Sequence, residues 1–144
     1  MVSIQTASVS DLDSLADLYE ELASKTTNVV KMREQFRWMD SNPDYVVLVA
    51  KEGETVIGSA MGVVCHDLVG DCDPFMVVEN VIVRSAFRGK GIGRRLMEKI
   101  EEIAAANSCQ YIMFVSRTDR KGAHRFYQSI GYSLDVVQGF KKFL

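Results

Sequence analysis

An α/β fold built on one core is predicted by three features of the 144-residue sequence. A helical stripe of apolar residues lies near the N-terminus, three β-rich runs follow in the middle, and a glycine-rich turn hands the third run to another amphipathic helix. Hydrophobic residues make up 47% and charged residues 25% of the chain. At this length folding buries roughly 70% of the unfolded chain's surface, so no disulfide or metal staple is needed. With no internal repeat, no low-complexity tract and only Pro43 and Pro74 as prolines, nothing marks a linker, and residues 1–144 are expected to form a single domain.

The elements follow in order. Leu12, Leu15, Tyr19 and Leu22 share one face of a first helix, with Ser10 and Asp13 expected as its capping pair. A weaker helical pattern from about Val30 to Met39 ends at the turn residues Ser41-Asn42-Pro43-Asp44. Tyr45 to Ala50 and Thr55 to Cys65 form two β-runs around the polar turn Lys51-Glu52-Gly53-Glu54, a hairpin. After the acidic stretch Asp67 to Pro74, Phe75 to Arg84 is apolar on both faces, as a central strand is. Ile92, Leu96, Ile100, Ile103 and Ala104 then hold a 3.6-residue period. Tyr111 to Val115 is a short buried strand and Gly122 to Ile130 a helix closed by Gly131. Tyr132 to Leu144 is expected to add up to two short strands turning at Gly139.

Charge and cysteine usage narrow the class. Seventeen Lys and Arg against nineteen Asp and Glu give a net charge of -2, which excludes a globally basic, nucleic-acid-coating protein but leaves room for one local anion site. Three cysteines, Cys65, Cys72 and Cys109, form no disulfide framework and fit a reducing compartment. The start Met1-Val2-Ser3-Ile4-Gln5 lacks a signal-peptide pattern and no apolar run reaches membrane-spanning length, so a cytoplasmic location without membrane association is expected. Cys65-His66 and Cys72 lack any recognised zinc spacing, and no metal is expected.

The strongest chemical signal is the junction Arg88-Gly89-Lys90-Gly91-Ile92-Gly93-Arg94-Arg95. Glycines let a backbone approach a ligand closely, and the unpaired N–H groups of a helix's first turn, with its dipole, make a phosphate-sized anion site. Lys90, Arg94 and Arg95 add positive charge. A Walker loop would need Ser or Thr after Lys90, where Gly91 stands, and a dinucleotide fingerprint would need a further glycine where Arg94 or Leu96 stands.

This string resembles the Arg/Gln-x-x-Gly-x-Gly/Ala pyrophosphate loop of the GCN5-related N-acetyltransferase (GNAT) superfamily, and it follows a strand as that loop does. Ala123-His124-Arg125-Phe126-Tyr127-Gln128-Ser129-Ile130-Gly131-Tyr132 is similar to the superfamily's second motif, and the Asp11-Leu12-Asp13 helix start is similar too. The resemblance implies a mixed, mostly antiparallel central sheet flanked by helices, with central strands splayed to form an acetyl-CoA cleft. It implies an N-acetyltransferase that moves the acetyl group of acetyl-CoA to a primary amine by direct attack in a ternary complex. Backbone groups of Val81, Ile82 and Val83 would pair with the pantetheine arm, and Arg88, Gly89, Lys90, Gly91, Ile92, Gly93 and Arg94 would hold the pyrophosphate. Homodimers are frequent in the superfamily, and no motif here specifies an interface. A coenzyme-A-binding sensor or interaction module without turnover is the alternative.

Amine acetylation sets the proton traffic. An alkylamine with a pKa near 10 is only about 0.1% neutral at pH 7, so a base is useful, while the departing thiolate, with a pKa of about 8.5, benefits from a donor. Tyr127 matches the family's tyrosine and is the candidate general acid. Glu79 interrupts an apolar strand, sharing a face with Val77, Val81 and Val83, where desolvation would raise its pKa toward a useful base; it is the candidate base, directly or through water. The motif's usual asparagine, seven residues before the tyrosine, is replaced by Arg120, which could reach a phosphate instead. His124 is expected to be structural, and Asp67, Asp71 and Asp73 either attract a cationic acceptor or form a solvated loop.

Overall fold

The structure, a computed structural model, describes residues 1–144. Packing divides them into two compact units, Met1–Met113 and Phe114–Leu144. In the first unit, strand β1 (Val2–Thr6) leads to helices α1 (Leu12–Ala23) and α2 (Val29–Asp40), strands β2 (Tyr45–Glu52), β3 (Thr55–Cys65) and β4 (Phe75–Val83), helix α3 (Ile92–Ala106) and strand β5 (Ile112–Met113). The five strands lie in the order β1-β2-β3-β4-β5. All neighbours are antiparallel except β4 and β5, which run parallel. This is the mixed, mostly antiparallel sheet that the sequence resemblance implies.

Alternation along β2 and β3 separates two cores. Val47, Val49, Val56 and Ile82 pack with Leu12, Leu15 and Leu18 of α1 and Phe36 of α2 on one face. On the other face α3 approaches closely enough that a Cβ at Gly58 would lie 3.2 Å from Leu96 Cδ1 and 3.3 Å from Ile92 Cγ2. Glycine in the middle of β3 therefore sets how near the first turn of α3 comes to the sheet.

Strand β1 was not anticipated, although Val2 and Ile4 alternate with exposed residues; its edge pairing with β2 supplies the partner that five residues alone lack. The cap of α1 also differs from expectation. Ser8 N–H donates to Asp11 Oδ2 at 2.8 Å, and Asp11 is itself buried beside Lys51 Nζ at 2.7 Å. Asp13, expected to cap, is exposed and pairs with Arg33 of α2 at 2.8 Å. Lys51, expected in a turn, is a buried strand residue because Asp11 meets its ammonium.

In the second unit the only regular element is α4 (Lys121–Ser129). Residues 133–144 form no strand, contrary to expectation, and Val136, Val137, Phe140 and Phe143 are exposed. An apolar run becomes a strand only where a neighbour takes its backbone groups. The expected strand from Tyr111 to Val115 is likewise reduced to Ile112–Met113, the two residues that pair with β4.

Candidate functional site

The centre of β4 is irregular. Glu79 pairs with Met61 and Ile82 with Ser59, so β4 carries an additional residue across this step, and Asn80 within it has φ 55°. Such a bulge bends the strand and re-aims its side chains, and Asn is among the few residues that tolerate this backbone region. The register places Val77, Glu79 and Ile82 on the α1–α2 face and Val83 on the α3 face. Glu79 therefore shares its face with Val77 as expected but with Ile82 in place of Val83, and Val81, beside the bulge, has no partner in the register. It is also exposed, so the desolvation expected to make it a better base is not provided by burial.

The same strand offers an open backbone edge. β5 pairs with β4 only at Met76 and Val77, leaving the part from Val78 to Val83 with no strand on that side. Arg84 N–H donates to Ile57 O at 2.7 Å on the β3 side. Because backbone groups alternate along a strand, those of Val83 and Val81 point to the open edge and those of Ile82 toward β3. Of the three residues expected to meet a pantetheine arm, Val81 and Val83 are thus the ones that present hydrogen-bonding groups.

The open edge runs into the glycine-rich loop. A single 3-10 turn, Ser85–Phe87, precedes Arg88. Gly89 and Gly91 then have φ of 76° and 78°, a backbone sign that side-chain-bearing residues adopt at a cost. A Cβ built at either would meet nothing within 4 Å, so the space over the loop is open. Arg95 N–H donates to Gly91 O at 3.1 Å, which leaves the earlier N–H groups of Ile92, Gly93 and Arg94 outside the helical ladder. Gly91 brings no side-chain cap, and the first turn of α3 holds no acidic residue. Lys90 Nζ sits 5.2 Å from the Phe87 ring centroid, while Arg88 and Arg94 are largely exposed. Open space, free amides, a helix dipole and exposed cations fit a phosphate group.

Sequence reasoning missed Glu21. This residue of α1 accepts from Ser85 N–H at 3.2 Å and lies 3.9 Å from Arg84 and 3.8 Å from Arg88. Arg84 and Arg88 in turn donate to Val56 O at 3.2 Å and Val83 O at 2.9 Å. Nothing in the local pattern distinguishes Glu21 from the other acidic residues of α1, since only the fold brings it to the loop.

In the second unit, Tyr127 is buried on α4, its ring centroid 4.5 Å from that of Phe114 and 5.2 Å from that of Phe126. Burial pushes the phenol above its ordinary value of 10.0, against a smaller opposing pull from the Arg120 cation, so the hydroxyl is protonated at neutral pH. Arg120 is exposed at the N-terminal boundary of α4, and His124 beside it is half-buried. Asp67 folds onto its own loop, accepting from Leu68 N–H at 2.7 Å, and Asp71 and Asp73 are exposed. No helix is long and apolar enough to cross a membrane.

Comparison with known proteins places this architecture. The family model described as Acetyltransferase (GNAT) family matches residues 12–132. An L-methionine sulfoximine/L-methionine sulfone acetyltransferase of Pseudomonas aeruginosa is 25% identical, over 92% of this chain and 80% of its own. A solved structure from Agrobacterium tumefaciens superposes with a TM-score of 0.91 at 26% identity, covering 99% of each chain. The structure of AAC(6')-Iy in complex with a bisubstrate analog, CoA-S-monomethyl-acetylneamine, superposes with a TM-score of 0.81 and covers 100% of this chain and 99% of that one; at 17% identity this is a likeness of fold.

Proposed function

The chain belongs to the GNAT acetyltransferase family, and from that premise we propose that it transfers the acetyl group of acetyl-CoA to a primary amine by direct attack in a ternary complex. The observation that carries this reading is the unpaired edge of β4 leading into the uncapped, cation-rich N-terminus of α3. In it, Val81 and Val83 offer backbone groups to the pantetheine amides, while Gly89 to Arg94, with Arg88 and Lys90, receive the pyrophosphate; Arg120 is a further phosphate partner. Because the family model spans residues 12–132, we take both compact units as parts of one N-acetyltransferase domain.

The neutral amine nitrogen attacks the thioester carbonyl carbon, and the carbon–sulfur bond breaks to release the thiolate of coenzyme A. Tyr127 gives that thiolate its proton and recovers one from solvent; with a pKa above 10.0 the phenol carries its proton at neutral pH. Glu79, or a water it orients, takes the proton lost by the amine. Its exposure favours the water-linked form. Acetylation of methionine sulfoximine by a relative supports a small amine as acceptor, with no chemical feature of this chain narrowing it further.

Thiol release from acetyl-CoA across polyamines, amino sugars, aminoglycosides, amino acids and lysine peptides tests the reading: transfer to one class is expected. Coenzyme binding without transfer to any acceptor would favour the sensor reading instead. Tyr127→Phe is expected to lower turnover about a hundredfold with little change in acetyl-CoA affinity, and wild-type turnover in that variant would remove the general-acid assignment.

A further inference from the structure

Glu21 and Arg88 meet where a coenzyme would enter. The Arg88 side chain, though largely exposed, folds back onto the strand: its Nε donates to Val83 O at 2.9 Å, and its Nη2 lies 3.8 Å from Glu21 Oε2. Val83 O faces the open edge of β4, so the guanidinium covers one of the backbone acceptors that an incoming amide would use. Glu21 also accepts from Ser85 N–H and lies beside Arg84. One carboxylate from α1 thus faces two arginines and accepts from a backbone amide at the entrance to a loop that otherwise contains no anion before Glu98.

We propose that Glu21 is the resident counter-anion of the phosphate loop: it holds Arg88 folded over the edge of β4 and competes with the coenzyme's phosphates for that guanidinium. This rests on the acetyl-CoA reading above. It makes Glu21 a positioning residue whose charge weakens coenzyme retention. Arg88 is 60% exposed and its contact with Glu21 is long, so the pair is weak enough to open when a phosphate, with its greater charge, arrives. Arg84, only 24% exposed and held by its bond to Val56 O, stays near Glu21 when Arg88 leaves.

The competition has a sign opposite to that of a structural support, and this makes it testable. Glu21→Gln keeps an oxygen to accept from Ser85 N–H while removing the charge. Titration of the whole protein with coenzyme A is expected to show about threefold tighter binding in the variant at low salt, shrinking as added salt screens the pair. Its dissociation should slow correspondingly. In an Arg88→Ala background the same substitution should change the affinity little. Weaker or unchanged binding in Glu21→Gln, or an equal gain in both backgrounds, would overturn the proposal while leaving the coenzyme reading intact; no coenzyme A binding by the wild type would overturn both. A thermal melt of each variant separates these outcomes from loss of fold, and if Glu21→Gln melts early, Glu21→Ala, which also removes the charge, serves in its place with the same expected gain.

Discussion

Helices α1 and α3 start in opposite ways. Before α1, Ser8 and Asp11 close a capping box, and Asp11 is buried against Lys51, so this end carries its own anion. At α3 the corresponding positions are Gly91, with no side chain to offer, and a first turn that contains Arg94 and Arg95 but no acid. Both ends present free N–H groups and the positive end of a helix dipole. The end before α1 holds a buried carboxylate paired with Lys51 and Ser8; the end at α3 holds none, which suits the anion proposed for it. What sets the proposed anion site apart is the absence of a nearby carboxylate in its first turn.

The contrast yields tests at both ends. The largest effect is expected from Asp11→Ala, which strips Ser8 N–H of its acceptor and Lys51 of its partner: stability in urea unfolding should fall by about 2 kcal/mol, with coenzyme A affinity unchanged. The same carboxylate fixes the pH behaviour. Burial alone would raise Asp11, but the hydrogen bonds from Lys51 and Ser8 outweigh it and hold the carboxyl below its ordinary 3.8. Lys51 is held above its ordinary 10.5 by Asp11. The contribution of Asp11 is therefore present above its unfolded-state pKa and lost as pH falls through the lower folded value. That of Lys51 is complete below 10.5 and lost as pH rises beyond it. The stability gap between wild type and Asp11→Asn should be flat across neutral pH and narrow in acid; a gap that began to close above about pH 5 or widened on acidification would break this assignment.

At the other end, Arg94→Glu places an acid in the first turn of α3 and should weaken coenzyme A binding about tenfold while leaving stability within about 0.5 kcal/mol. Calorimetric titration paired with a melt distinguishes this from general damage. Gly91→Ala is expected to have the smallest effect, a loss of about 1 kcal/mol from the left-handed backbone alone, since its Cβ would meet no atom. A larger loss would mean that the space over the loop is not open.

What the sequence showed and missed follows from the range of the interactions. The boundaries of β3, from Thr55 to Cys65, and the period of α3 were legible because alternation and the 3.6-residue repeat are local. The glycine loop was legible because a positive φ demands glycine itself. By contrast, β1 and the C-terminal residues were misjudged in opposite directions: Val2–Thr6 forms a strand because β2 is there to receive it, whereas the longer apolar run after Tyr132 forms none. The position of Glu79 changed for a related reason, since the bulge at Asn80 shifts every later side chain to the other face and no alternation pattern contains it. Residue types and short-range spacing determined the glycine loop proposed to hold phosphate, the candidate acid Tyr127 and the family. Tertiary structure alone decided that the edge of β4 is open, that Asp11 is buried against Lys51 while Asp13 is exposed, and that Glu21 faces Arg88, because each depends on which distant backbone or charge lies alongside.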